Sequence, residues 1–132
     1  MRSIPPGTKG SFTLVVAPEH LANQFKDAAL PPVLATPVMI MMMENAALNA
    51  IRPFLDPGEI AVGTAVEVRH LAATPVGHRV SAEAEVTEVK GRRVAFTVTA
   101  RDESEEIGRG THQRMVVDLH RLDQRLAAKA KS

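Results

Sequence analysis

The stretch TPVMIMMMENAALNAIRPFL, from Thr36 to Leu55, determines the fold because its aliphatic and methionine side chains are too apolar to lie at a surface. Thr36 is a favourable N-cap residue, and Pro37 suits the first position of a helix. Pro53 and the turn-like DPGE at 56–59 end the same segment. The pattern therefore predicts one long helix, apolar on nearly its whole circumference, that other elements must bury.

Alternating apolar and polar residues predict β-strands along much of the remaining chain. In the strand after the helix, one face carries Val62, Thr64, Val66, Val68 and His70, and the other carries Ala65, Glu67 and Arg69. Further strands are expected at 11–16, 80–87, 94–101 and 107–118, with a short amphipathic helix in the tail from 119 onward. The simplest packing is an α+β hot-dog fold, in which a curved antiparallel sheet with a four-strand meander wraps around the long helix. We expect a single domain over residues 1–132, and the architecture usually requires a dimer.

Composition narrows the class of protein. The 132 residues are 45% hydrophobic, which suits one domain with one core. The absence of cysteine excludes disulfides and thiolate metal sites. With a formal net charge of +1, no Trp or Tyr and only four Phe, the chain has no sign of a nucleic-acid-binding surface. Neither a signal peptide nor a membrane span is evident, so we expect a soluble cytoplasmic protein without nucleic-acid or membrane partners.

Glu44 is the only ionisable residue between Ala28 and Ile51. Its neighbours on the same face of the predicted helix, including Met41 and Leu48, are apolar. Burying an unpaired carboxylate costs several kcal/mol, so selection for stability alone favours leucine or glutamine at this position. Glu44 therefore indicates a functional site, unless a small rotation of the helix brings it to solvent or to a distant arginine.

His70 and Thr36 are the other candidates. His70 shares the face of the apolar residues in its strand, which directs it towards the helix and into the same layer as Glu44. Thr36 needs no role beyond capping, but the N–H groups of Val38 and Met39 at the positive end of the helix form a potential oxyanion site. Because Thr36 and Glu44 lie about 12 Å apart along a helix axis, a shared site must span two subunits or contact different points of one substrate.

Four segments resemble the fluoroacetyl-CoA thioesterase family of hot-dog proteins, and the resemblance extends from Pro6 to about Leu119. They are ATPVMIMMMENA at 35–46, GTAVEVRHLAATPVG at 63–77, EVKGRRVAFTVTARD at 88–102 and EIGRGTHQRMV at 106–116.

The resemblance implies a homodimeric or larger acyl-CoA thioesterase whose catalytic residues are Thr36, Glu44 and His70. It also implies that Gly63 supplies backbone near the acyl group and that Arg114 lines the substrate pocket. The stretch HLANQFKDAALPPVLA at 20–35 departs from the fluoroacetyl specialist of the family, which has several aromatic residues gating the acyl pocket, whereas here Phe25 stands alone.

Thioester hydrolysis suits these groups because the departing thiol, with a pKa of about 8.5, needs little acid assistance. Glu44 is the predicted base or nucleophile, the helix N-terminus the oxyanion site, His70 the proton relay and Thr36 the group that positions water or the carbonyl. His112 is interpreted as structural. No metal or cofactor is expected, since no histidine has the i, i+4 partner of a helical metal site and CoA belongs to the substrate. A non-hydrolytic acyl-CoA-binding protein and an enoyl-thioester hydratase or dehydratase remain alternatives.

Overall fold

The computed structural model describes all 132 residues, with the exception of the side chain of Phe25. The strands are β1 (Lys9–Val15), β2 (Glu59–His70), β3 (Arg79–Lys90), β4 (Arg93–Arg101) and β5 (Glu106–Asp118). The helices are α1 (Ala22–Phe25), α2 (Thr36–Ile51) and α3 (Leu119–Ala130), with short 3₁₀ turns at Pro18–His20 and Arg52–Phe54. The predicted antiparallel sheet around one long helix, followed by a short C-terminal helix, is confirmed.

The five strands form one antiparallel sheet in the order β1-β3-β4-β5-β2. The prediction of a four-strand meander is wrong, because β2 pairs with β5 at the edge of the sheet and not with β3. The connection at 71–78 crosses the end of the sheet instead, and Leu71 N–H donates to Ile107 O at one side while Val16 N–H donates to His78 O at the other. Eight extended residues reach about 26 Å, which is ample for the roughly 15 Å between strands three positions apart.

A β-bulge interrupts β2, where Gly63 pairs with Arg114 and Ala65 pairs with Gln113, so that Thr64 is an extra residue. Paired residues point to the same face of a sheet, and the bulge shifts the alternation by one residue. As a result Gly63 shares the helix-facing side with His70, while Val62 pairs with Met115 on the outer face. The prediction that Val62 and His70 share one face is therefore wrong.

Helix α2 packs lengthwise against the concave face of the sheet and is largely buried. Its buried residues are Val38, Met39, Met42, Met43, Ala46, Ala47, Ala50 and Ile51. Gly10 in β1 permits this close packing, since a Cβ atom there would lie closer than 3.0 Å to the backbone of Ala46 and Ala50. The helix ends at Ile51, and Pro53 lies in the 3₁₀ turn that follows.

Helix α3 begins where Asp118 accepts a hydrogen bond from the backbone N–H of Arg121 at 2.9 Å. None of its residues is buried. Within the described part of the chain, no helix has the length and hydrophobicity that crossing a bilayer would require.

Candidate active site

Thr36 and His70 meet at the N-terminal end of α2. The Thr36 Oγ1 atom lies 2.8 Å from His70 Nδ1, which is a hydrogen-bond distance. The first residue of α2 and the last residue of β2 supply the two groups, so their contact depends on the crossing of helix and edge strand. Thr36 is solvent-exposed and His70 is half-buried. The structure thus brings together two of the three residues predicted to be catalytic.

The hydroxyl of Thr36 does not cap the helix, in contrast to the prediction. Ala35 is the N-cap residue, and no side chain makes the capping hydrogen bond. The N–H groups of Val38 and Met39, predicted to form an oxyanion site, are instead already paired, since they donate to Ala35 O at 3.0 and 3.2 Å. The helix begins one residue earlier than the proline suggested, which leaves the Thr36 hydroxyl free to bond with His70.

Burial lowers the pKa of His70 from its ordinary value of 6.5, and the backbone of Ala72 opposes part of this shift. The imidazole is therefore neutral at pH 7. Its Nε2 atom is buried and has no hydrogen-bond partner among the described residues. A neutral ring at this position can exchange a proton with the hydroxyl group of Thr36.

An open cleft of about 440 Å³ adjoins the Thr36–His70 pair. Leu30, Val33, Leu34 and Leu71 contribute to its largely apolar wall, and Lys26 adds one positive charge. The side chain of Phe25, the single aromatic residue of the segment before Thr36, lies outside the described part of the structure. Polar groups beside an apolar cleft are typical of a small-molecule site.

A second polar cluster lies two turns further along α2 and contains Glu44. A Cβ atom added to Gly63 would be 3.1 Å from Glu44 Oε2, 3.5 Å from His112 Cε1 and 3.6 Å from Arg114 Nη1. Three polar side chains therefore converge on the space that a glycine leaves open in β2. Glu44 is half-buried, and the positive charge near it comes from β5 rather than from its own helix.

Arg114 and His112 project from β5 towards the helix and are only 9% and 1% exposed. Arg114 Nη2 donates to Ala61 O at 2.7 Å, and Arg114 Nη1 lies 3.2 Å from His112 Nε2. Burial lowers the pKa of both side chains, while the Glu44 carboxylate acts in the opposite direction on each. His112, which the sequence indicated was merely structural, thus belongs to the Glu44 cluster. Its position two residues before Arg114 places both side chains on one face of the strand, but this alone does not distinguish a site residue from a packed one.

Within one chain, the two groups of residues form separate half-sites. One consists of Thr36 and His70, and the other of Glu44, Gly63, His112 and Arg114. The sequence placed His70 in the same layer as Glu44, and within one chain the imidazole beside Glu44 is that of His112. No group of three or more His, Asp or Glu residues in the described part of the chain is arranged to hold a metal ion.

The curled sheet around one helix, with polar groups held in the layer between them, defines a hot-dog protein of the thioesterase class. The family model for fluoroacetyl-CoA-specific thioesterases matches residues 16–120 of the chain. This chain therefore belongs to the fluoroacetyl-CoA-specific thioesterase family, and the prediction of a thioesterase is confirmed with it.

Individual relatives agree with the family model. The fluoroacetyl-CoA thioesterase of Streptantibioticus cattleyicolor is 44% identical over 128 residues, which cover 93% of this chain and 92% of that protein. A solved structure of a fluoroacetyl-CoA thioesterase superposes with a TM-score of 0.91 at 37% identity, covering 96% of this chain and 98% of that one. A thioesterase superfamily member from Thermus thermophilus gives a TM-score of 0.91 at 34% identity, covering 99% and 98%.

Proposed function

We propose that this protein hydrolyses a small acyl-CoA thioester to the free acid and CoA, using Thr36, His70 and Glu44 in one site. The observation that supports this most directly is the hydrogen bond between Thr36 and His70 beside an apolar cleft. The Thr36 hydroxyl group does not cap the helix and contacts a neutral imidazole instead. Glu44 contributes a half-buried carboxylate two turns away. The enzyme requires no metal or cofactor and acts in the cytoplasm.

A homodimer joins the two half-sites in this proposal. Strand β2 lies at the edge of the sheet, and its residues 63–67 are exposed. An unpaired edge strand is a template for pairing with another chain. Antiparallel pairing of two copies of β2 about a two-fold axis near Val66 sets Gly63 of one chain close to the partner's His70. Glu44 of one chain and the Thr36–His70 pair of the other then serve the same substrate.

The chemistry follows from the groups that this arrangement assembles. Glu44 removes a proton from water that attacks the thioester carbonyl carbon, or it attacks that carbon itself. The N–H of Thr36 has no partner among the described residues, and with the positive end of the helix dipole it stabilises the oxyanion. The carbon–sulfur bond then breaks, and CoA leaves as a thiolate that needs little acid assistance. If Glu44 was the nucleophile, water then hydrolyses the resulting acyl–Glu44 anhydride, which releases the free acid and restores the carboxylate.

The acyl group in this proposal is small, but it is not restricted to fluoroacetyl. The cleft beside Thr36 is lined by aliphatic residues such as Leu30 and Val33. Fluoroacetyl-CoA is named as the substrate of relatives whose identity to this chain is below half. We therefore propose short unsubstituted acyl-CoA esters as substrates alongside fluoroacetyl-CoA.

Thiol release from a panel of short, branched and aromatic acyl-CoA esters tests the activity. We expect Glu44→Gln to lower turnover by about 10²- to 10⁴-fold without changing the melting temperature, because a positioned proton-transfer group typically contributes that factor. Hydrolysis of acetyl-CoA at the wild-type rate by this variant would refute the role of Glu44. If an enoyl-CoA ester instead lost its absorbance without releasing thiol, the protein would be a hydratase.

Subunit complementation tests the shared site. Thr36→Ala and Glu44→Gln each inactivate the homodimer, but a mixed dimer retains one site with an intact Thr36 and an intact Glu44 if these come from different chains. When the two variants are mixed in equal amounts and exchange subunits at random, about half of the dimers are mixed and each of these has one intact site of two. The mixture should therefore show about a quarter of the wild-type activity. If mixed dimers stay as inactive as their parents, both residues act within one chain.

A further inference from the structure

Arg114 is a buried cation held by neutral groups. Its guanidinium donates to the carbonyl of Ala61 and faces the imidazole of His112, and its Nε atom has no partner among the described residues. Among the described residues, no carboxylate forms a salt bridge with Arg114, although Glu44 is close enough to oppose the lowering of its pKa. A buried charge that is not ion-paired is unfavourable by several kcal/mol, so stability does not account for this arrangement.

The hydrogen bonds of His112 determine which ring nitrogen carries the proton and which one accepts a hydrogen bond from Arg114. His112 Nδ1 lies 2.8 Å from Ala65 O, and because a carbonyl only accepts, Nδ1 carries the proton. Nε2 of the neutral ring is then an acceptor, and the N–H of Arg114 Nη1 donates to it at 3.2 Å. The ring also stacks on Phe96, with 5.8 Å between the centroids, which fixes its plane.

We propose that His112 is a positioning residue that holds the Arg114 guanidinium at the acyl end of the site and keeps it from closing onto Glu44. The geometry assigns the restraint to two acceptors, His112 Nε2 and Ala61 O, one for each terminal nitrogen of the guanidinium. Without His112, the attraction between opposite charges draws Arg114 towards the carboxylate, and the base loses its freedom to accept a proton. This inference rests on the proposed function.

The test compares five proteins: wild type, His112→Phe, His112→Gln, Arg114→Met and the double variant His112→Phe/Arg114→Met. Phenylalanine keeps the ring that stacks on Phe96 but removes the acceptor, whereas glutamine keeps an acceptor oxygen. The measurements are kcat and KM for the best acyl-CoA of the panel, together with thermal melting.

We expect His112→Phe to lower kcat/KM by about 10-fold or more, and His112→Gln to retain most of the activity. The double variant should be no slower than Arg114→Met alone, within about 2-fold, since residues that act as a unit are not additive. A wild-type kcat/KM for His112→Phe would overturn the proposal. So would a folded His112→Gln protein that is as slow as His112→Phe, or a double variant whose loss of kcat/KM is the product of the two single losses. If His112→Phe does not fold, the folded His112→Gln protein is compared with wild type instead. Retention of most of the activity is expected, and a loss of about 10-fold or more in kcat/KM would overturn the proposal.

Calorimetric binding of a non-hydrolysable thioether analogue of acetyl-CoA separates failure of this inference from failure of the proposed function. A wild-type protein that releases no thiol from any ester would refute the hydrolase. The analogue's affinity would still show the same dependence on His112 and Arg114 if the positioning role is correct. An affinity that falls with Arg114→Met but not with His112→Phe would overturn the positioning role, whatever the hydrolase activity.

Discussion

Replacing Gly63 by alanine tests whether the space above β2 belongs to the Glu44 carboxylate. The φ angle of Gly63 lies outside the positive range, so alanine fits the backbone without strain. The new Cβ atom would be 3.1 Å from Glu44 Oε2, a few tenths of an ångström inside the ordinary contact range of 3.4–4 Å. His112 and Arg114 would lie at 3.5 and 3.6 Å, which is normal contact. The carboxylate alone must therefore move.

The size of the effect follows from this displacement. A side chain driven about 30° from its rotamer loses roughly 0.5–1.5 kcal/mol, and the same free energy taken from the transition state lowers the rate by about 2- to 13-fold. Alanine also reduces the conformational freedom of the unfolded chain, which stabilises the folded protein by about 0.4–1 kcal/mol. We therefore expect Gly63→Ala to lower kcat within that range while the free energy of unfolding changes by less than about 1 kcal/mol.

The assay is thiol release at saturating acyl-CoA, with urea unfolding followed by circular dichroism. The matched control is Gly63→Ala in the Glu44→Gln background, measured at high enzyme concentration. Because the carboxylate is already absent there, the alanine should cause no further loss of turnover. If the alanine slows the double variant as much as it slows wild type, the clash with Glu44 is not the cause, and the reasoning from the 3.1 Å distance fails.

Three further predictions concern the threonine, the helix–sheet contact and the histidines. Thr36→Val should reduce kcat/KM by about 10²-fold or more in the thiol-release assay, because the hydroxyl bonded to His70 is lost. Gly10→Ala should lower the free energy of unfolding in urea by about 1–3 kcal/mol, because its methyl group would overlap the backbone of Ala46. Stability to urea should fall as pH drops from about 6.5 towards 5, because the unfolded chain protonates His70 and His112 before the folded protein does.

Each of these has its own control. Thr36→Ser should remain active, and Thr36→Val should melt like wild type, since a cap residue would have contributed about 1 kcal/mol that this threonine does not supply. Ser11→Ala, on the exposed side of the same strand as Gly10, should change stability by less than about 0.5 kcal/mol, and an equal loss would remove the steric explanation. A variant with both His70→Gln and His112→Gln should lose much of the pH dependence between about 5 and 6.5, and an unchanged slope would point to other groups.

Periodicity predicted the long helix and the strands because each follows from which side chains repeat at 3.6 or 2 residues. The neighbours of β2 could not be predicted in this way. A strand pattern indicates which face is buried, but it does not distinguish pairing with β3 from the observed pairing with β5. The crossing connection is held by long-range backbone bonds such as Leu71 N–H to Ile107 O, which no local pattern contains.

Residues of the candidate site could be predicted where an ionisable side chain lies among apolar neighbours. Glu44 among methionines and His70 on an apolar strand face are such cases, and both side chains lie in the layer between helix and sheet. The role of His112 was not predictable from the strand pattern alone, because a histidine beside small residues also suits plain packing. Its partners, Ala65 O and Arg114, come into place only once β2 and β5 are paired.

The bulge at Thr64 has a consequence for recognising related enzymes. Gly63 and His70 point the same way although they are an odd number of positions apart in the chain, and only the one surplus residue of the bulge makes this possible. A chain with identical chemistry but without that surplus would turn either its glycine or its histidine away from the helix. Under the proposed function, spacing across this short segment is thus a more discriminating mark of a working enzyme than the presence of the individual amino acids.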